Sequence, residues 1–112
     1  MMILRHTMTV FVPSTIGTRH ATEVEIDGVK DAVIAMLVAE FGGCQELTPI
    51  AGYWQSATGE TVKETNYPVR SAFAEYNADI DTLAAKIAAY VKDAMIQEAV
   101  AIEIDGVLYI HE

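Results

Sequence analysis

One cysteine, Cys44, in 112 residues leaves no partner for an internal disulfide, so the chain is not a bridged secreted scaffold. Basic residues are also few: seven Lys and Arg stand against sixteen Asp and Glu, a net charge of −9. Without clustered Lys or Arg there is no phosphate-neutralising surface for nucleic acid and no polybasic patch for an anionic membrane. No apolar run approaches the roughly 18 residues that a spanning helix needs. The opening Met1-Met2-Ile3-Leu4-Arg5-His6-Thr7 lacks the basic-then-apolar order of a signal peptide, so a cytoplasmic location is expected. GxGxxG, the P-loop, GxSxG and CxxC are all missing. His6, His20 and His111 are too far apart for a local metal motif, and neither metal nor cofactor is expected.

Hydrophobicity is what the chain has: 52% of its residues are apolar, enough for a small core and too many for disorder. The length suits one domain, residues 1–112. A mean hydropathy of +0.24 in so short a chain favours a homo-oligomer, because a small domain buries little of its own surface.

Periodicity orders the elements. Residues 2–12 alternate as a strand with Met8, Val10 and Val12 on one face, ended by Pro13. The polar stretch 13–26 reads as a long loop, of the kind that tends to carry function. Asp27 is the expected cap of a helix over 29–41, with Val29, Val33, Met36, Leu37 and Phe41 as its stripe and Gly42-Gly43 as its stop. Residues 44–55 read as a strand broken or bent at Pro49, and 60–75 as a longer one, joined by a hairpin loop at 56–59. A second helix is expected from Asp79 to about 96, then a strand over 98–104, an Asp105-Gly106 hairpin turn and a short return strand. The order β-α-β-β-α-β is the α+β, ferredoxin-like pattern: two helices on one face of an antiparallel sheet, with a C-terminal β extension. The other sheet face is then bare, and apolar residues on both sides of the strands suggest that another subunit covers it.

The hairpin around 44–65 is the segment most suited to chemistry. A four-residue loop at 56–59 pairs Tyr53 with Val62 and Ala51 with Glu64, which puts Tyr53 and Glu64 on one face as diagonal neighbours roughly 7–8 Å apart. Trp54 then points toward the helices as a core anchor. A loop with an odd number of residues would swap these faces. Tyr53 is equally readable as an edge aromatic, and Glu64 as a solvated carboxylate. In the loop, Ser14, Thr15 and Thr18 offer hydroxyls and Arg19 a bidentate guanidinium, unless the loop is a plain connector. Cys44, His6 and His111 read as structural.

The run Gly52-Tyr53-Trp54-Gln55, a short polar turn, Glu64-Thr65 and Pro68-Val69-Arg70 resembles the centre of the small phage-encoded S-adenosylmethionine (SAM) lyases, formerly called SAM hydrolases. Strand 2–12 leading into a polar loop with Arg19-His20 and then a helix is similar in layout. The chain is also similar in fold to the trimeric PII-like signalling proteins, which bind nucleotides in clefts between subunits. The lyase resemblance implies a homotrimer that cleaves SAM to 5′-methylthioadenosine and homoserine lactone at subunit interfaces, without a metal, in the host cytoplasm as phage counter-defence. It implies that Glu64 and Tyr53 are the important site residues, with Glu60 the competitor for Glu64. Ser14, Thr15, Thr18, Arg19 and Glu60 are expected to bind substrate. The hydroxyls rank above Arg19, since an ion pair to the substrate carboxylate would hold back its attack. The PII-like alternative is nucleotide binding without reaction.

Overall fold

Alternating apolar residues build the centre of the molecule. In the computed structural model, which describes residues 1–112, β1 (His6–Pro13) turns Met8, Val10 and Val12 to one side, all fully buried. Two antiparallel strands flank it: β6 (Thr61–Phe73) pairs Val69 with Val10, and β7 (Val100–Ile104) pairs Ile102 with Val10. Successive strand residues face opposite ways, so these registers bring Val69, Phe73, Ile102 and Ile104 to the same side as Val10. Two helices cover that side. The first, α1 (Glu23–Phe41), buries Ile26, Val29, Val33 and Leu37; the second, α2 (Ala78–Met95), buries Ile80, Ala84, Ile87, Ala88, Val91 and Met95. Each large side chain removed from water contributes about 1.5–3 kcal/mol, and this single cluster is the main source of stability.

The remaining strands extend the sheet. On one side β4 (Gln45–Glu46) and β5 (Ile50–Gln55) both pair with β6, and the break between them holds Pro49, as expected. On the other, β8 (Val107–His111) returns beside β7 through Asp105-Gly106. Both turn residues have positive φ, 53° and 81°, as a two-residue hairpin turn needs. The order β5-β6-β1-β7-β8, antiparallel throughout, is the ferredoxin-like arrangement with one strand added at the C-terminal edge. Leu108 and Ile110 lie on the sheet face away from the helices and are more than half exposed. No helix is long and apolar enough to cross a membrane.

Two boundaries differ by four residues or more from those expected. The first strand begins at His6, leaving Met1 to Leu4 outside it and exposed. The first helix begins at Glu23, six residues before 29, because Thr22 rather than Asp27 caps it. The Thr22 hydroxyl accepts from the Glu25 N–H at 3.2 Å, and the Glu25 carboxylate accepts from the Thr22 N–H at 3.0 Å. This reciprocal capping box satisfies two orphan donors of the helix start. The long loop shrinks in consequence. Most of it is a small ribbon of β2 (Thr15–Ile16) and β3 (Arg19–His20), tied to the core where the Gly17 N–H donates to the Met95 carbonyl at 2.9 Å. The far end of α1 closes as expected: Gly42, at φ 84°, donates its N–H to the Val38 carbonyl at 2.8 Å.

Arg19 adds two bonds to the Glu25 carboxylate, at 2.9 and 2.7 Å, and with the Thr22 N–H holds its pKa down at about 2 from an ordinary 4.5. A carboxylate with a lowered folded pKa contributes stability that is complete above its unfolded value and vanishes as pH falls through its folded one. Glu25→Gln keeps a capping acceptor but loses the charge. The stability gap between wild type and Glu25→Gln is therefore expected to be constant above pH 4.5 and to close as pH falls toward about 2. Thr22→Ala is expected to lose about 1 kcal/mol at neutral pH. Denaturant titrations across pH check both, and a gap that stays constant to pH 2 contradicts the first.

Candidate functional site

The thirteen-residue β6 outruns the eight-residue β1. Only residues 66–73 of β6 pair with β1, so residues 61–65 continue as a two-stranded arm held by β5 alone. The molecule is correspondingly long, 49 × 28 × 23 Å. Where β1 ends, Pro13 turns the chain into the β2–β3 ribbon, which stands beside the open edge of the arm. Between them lies a cavity of about 320 Å³. Ser14, Thr15, His20 and Ala21 line it from the ribbon, Ile26 from the start of α1, and Lys63, Glu64, Thr65 and Tyr67 from β6. The Thr15 hydroxyl donates to Glu64 Oε1 at 3.1 Å and fixes that carboxylate against the ribbon.

Of the residues singled out in the sequence, Ser14, Thr15 and Glu64 are brought together here. Arg19 is spent elsewhere, on the bidentate pair with Glu25, and does not line the cavity. Thr18, at the exposed tip of the ribbon, does not line it either, nor does exposed Glu60 in the hairpin turn. His20, Lys63, Thr65 and Tyr67 were not anticipated as lining. The signal that could have found His20 is the Thr22-x-x-Glu25 capping box, which starts the helix early and sets His20 and Ala21 at its mouth.

The hairpin register differs from the expected one by a single residue. The turn holds five residues, 56–60, because the Ser56 N–H donates to the Glu60 carbonyl at 2.8 Å and Ser56 Oγ accepts from the Glu60 N–H at 3.2 Å. Gln55 thus faces Thr61, Trp54 faces Val62, Tyr53 faces Lys63 and Gly52 faces Glu64. Every side chain of β5 swaps faces relative to the shorter loop. Tyr53 and Glu64 therefore lie on opposite faces. Trp54 turns away from the helices and is 52% exposed, so it is not a core anchor. Tyr53 stands on the helix side, 64% exposed, with Lys63 Nζ 6.0 Å from its ring centre. Because Lys63 lines the cavity, Tyr53 is the next side chain outward along the same face.

The remaining candidates are structural. His6 Nδ1 lies 2.7 Å from Asp105 Oδ2 and its ring stacks on Phe73 at 5.4 Å, far along the sheet from the cavity. Cys44 is half-buried against the core, and desolvation raises its thiol pKa, the opposite of an activated nucleophile.

No protein-family model and no curated protein sequence matches the chain. Solved structures do. A phage SAM lyase in complex with S-methyl-5′-thioadenosine superposes with a TM-score of 0.70, over 98% of this chain and 93% of that one, at 20% identity. A phage SAM lyase in its apo state gives 0.67, over 94% and 86%, at 18% identity. The chain has the phage SAM lyase fold. At 98% coverage the likeness takes in the arm and the C-terminal strand as well as the core of that fold.

The five-residue turn makes a direct prediction. Cross-strand nuclear Overhauser effects are expected between Trp54 and Val62 and between Tyr53 and Lys63. Direct pairing of Tyr53 with Val62 would instead restore the shorter loop and return Tyr53 to the Glu64 face.

Proposed function

We propose that this chain is a SAM lyase, cleaving SAM to 5′-methylthioadenosine and homoserine lactone at a site centred on Glu64. One observation carries the reading. The Glu64 carboxylate, bound by Thr15, lies in the wall of a ligand-sized cavity within a chain that shares its fold, nearly end to end, with a lyase holding S-methyl-5′-thioadenosine.

The chemistry suits so modest a set of side chains. The substrate's own carboxylate oxygen attacks its γ-carbon, the Cγ–S bond breaks, and its electron pair returns to sulfur. A sulfonium and a carboxylate become a neutral thioether and a lactone, with no proton to transfer and no water consumed. The nucleophile is already tethered, so the protein has only to hold the methionine chain in a near-attack shape. Charge disappears along the path, and a site poor in water favours that loss.

Glu64 supplies the anchor. Thr15 occupies Oε1, and the carboxylate attracts the α-ammonium and sulfonium of the substrate or accepts from its ribose hydroxyls. Lys63 repels both cationic centres, so the methionine end lies on the Glu64 side of the cavity. The Ser14 hydroxyl binds polar edges of the ligand. Tyr53, directly across from Lys63 on β5, offers its ring to adenine, away from the cationic centres. Thr18, Arg19 and Glu60 fall outside this arrangement in a single copy. The chain acts as one domain in a homotrimer whose neighbours cover the apolar sheet face with Leu108 and Ile110 and complete the site beside the exposed Tyr53 and Trp54. Its setting is the cytoplasm of an infected host, where loss of SAM disarms methyl-transferring and restriction systems.

Incubation with SAM followed by chromatography is expected to release 5′-methylthioadenosine and homoserine lactone. Glu64→Gln should lower turnover by about 100-fold, the scale of a misplaced reacting group, without changing the fold or the sedimentation mass of three chains. An unchanged rate in Glu64→Gln moves the anchoring role to another carboxylate, Glu60 first. Binding of adenosine nucleotides with SAM left intact would instead favour a PII-like sensor.

A further inference from the structure

The Glu64 carboxylate is not held by Thr15 alone, because Thr15 is itself held. Beyond the end of α2, the Gln97 side-chain amide reaches across to the ribbon. Its Nε2 donates to the Thr15 carbonyl at 2.9 Å and to the Met95 carbonyl at 3.0 Å, with Thr15 Oγ1 at 3.4 Å. Two carbonyl oxygens around one atom leave only the NH2 end of the amide able to occupy that place. The amide has two N–H groups for three acceptors, so the one that serves the Thr15 carbonyl is shared with Thr15 Oγ1, and the hydroxyl turns its single proton toward Glu64, at 3.1 Å. The line Gln97, Thr15, Glu64 thus joins the C-terminal end of a core helix to the cavity wall.

The backbone just before Gln97 points the same way. Helix α2 ends at Ile96 in the left-handed region, φ 50° and ψ 57°, where α1 uses glycine. A β-branched side chain is rarely found there. Ile96 is 68% exposed, so packing does not account for the strained turn. What the turn delivers is Gln97: its N–H closes onto the Lys92 carbonyl at 3.0 Å while its side chain reaches Thr15. Strain of this kind persists where surrounding contacts over-determine it, and functional sites are common places to find it.

We propose that Gln97 is a positioning residue for Glu64, acting through the Thr15 hydroxyl. Its kinetic consequence rests on the lyase reading; its geometric consequence does not. Substrate need never touch Gln97. Removing its amide frees the Thr15 rotor, and the carboxylate loses its fixed orientation while its charge remains.

Two measurements on the full chain separate the possibilities. The side-chain carboxyl 13C resonance of Glu64 is expected to move in Gln97→Met, and to move in the same direction as in Thr15→Val. It should stay in place in Thr15→Ser, which keeps the hydroxyl, and in Lys86→Ala, a change on the exposed face of α2. In SAM turnover, Gln97→Met and Thr15→Val should each lower kcat by about 10-fold with KM within about 2-fold, as loss of orientation without loss of binding requires. The double variant should be no slower than the worse single one, the signature of residues acting in series. Should Gln97→Met prove poorly folded, Gln97→Ala is read in its place, with the same movement of the Glu64 resonance and the same loss of kcat expected. A Glu64 resonance unmoved by Gln97→Met overturns the proposal whether or not the chain turns SAM over. Full activity in Gln97→Met overturns it while leaving the lyase reading intact. A wild-type chain inert toward SAM removes the lyase reading, and the resonance then decides the relay by itself.

Discussion

The unequal length of two neighbouring strands governs this molecule. β1 can pair with only the last eight residues of β6, so the first five must leave the sheet as an arm. A strand edge left without a partner exposes backbone donors and acceptors and invites pairing with another chain. Here the edge is flanked by the β2–β3 ribbon, and the gap between ribbon and arm is the cavity. The core sets the ribbon's position through two contacts with the end of α2, at Met95 and Gln97. Fold and site are therefore one construction: the apolar cluster fixes α2, α2 fixes the ribbon, and the ribbon meets Glu64.

What the sequence revealed and what it hid divide along burial. Met8, Val10 and Val12 alternate because one face of β1 is covered, and Val29, Val33 and Leu37 recur at helical spacing for the same reason. From these the ferredoxin-like order could be read with its two helices and the glycine stop of the first in place. The arm offers no such guide. Its residues are exposed or half-exposed on both faces, so no buried stripe fixes which residue of β5 meets which of β6, and the turn alone sets the register. Ser56 decides it through bonds from its backbone and its hydroxyl to Glu60, and Ser-Ala-Thr-Gly-Glu reads as plausibly with four loop residues as with five. That one residue separates Tyr53 from Glu64.

The start of α1 is a milder case. The capping signature Thr22-x-x-Glu25 is present in the sequence, yet the regular apolar stripe begins only at Val29, which argues for a later start. Local hydrogen bonding prevails here over pattern. Gln97 lay beyond any pattern, since its importance comes from a contact across 82 positions of chain. Glu64 and the hydroxyls of Ser14 and Thr15 were visible as types suited to a polar ligand, and the fold brings them together; Arg19 was visible too, and Glu25 claims it.

The proposed reaction asks little of such a site beyond shape and one oriented charge, in keeping with a chain that has few of the groups used for acid–base or nucleophilic work. Its distinguishing feature is the origin of the new bond to the γ-carbon. Turnover of SAM in 18O-labelled water, followed by mass spectrometry of the amino-acid product, reads that origin directly. The account predicts that the oxygen on the γ-carbon is unlabelled, even after the lactone has opened, because it comes from the substrate's carboxylate. An 18O atom on the γ-carbon would show that water is the nucleophile and contradict the account at its centre.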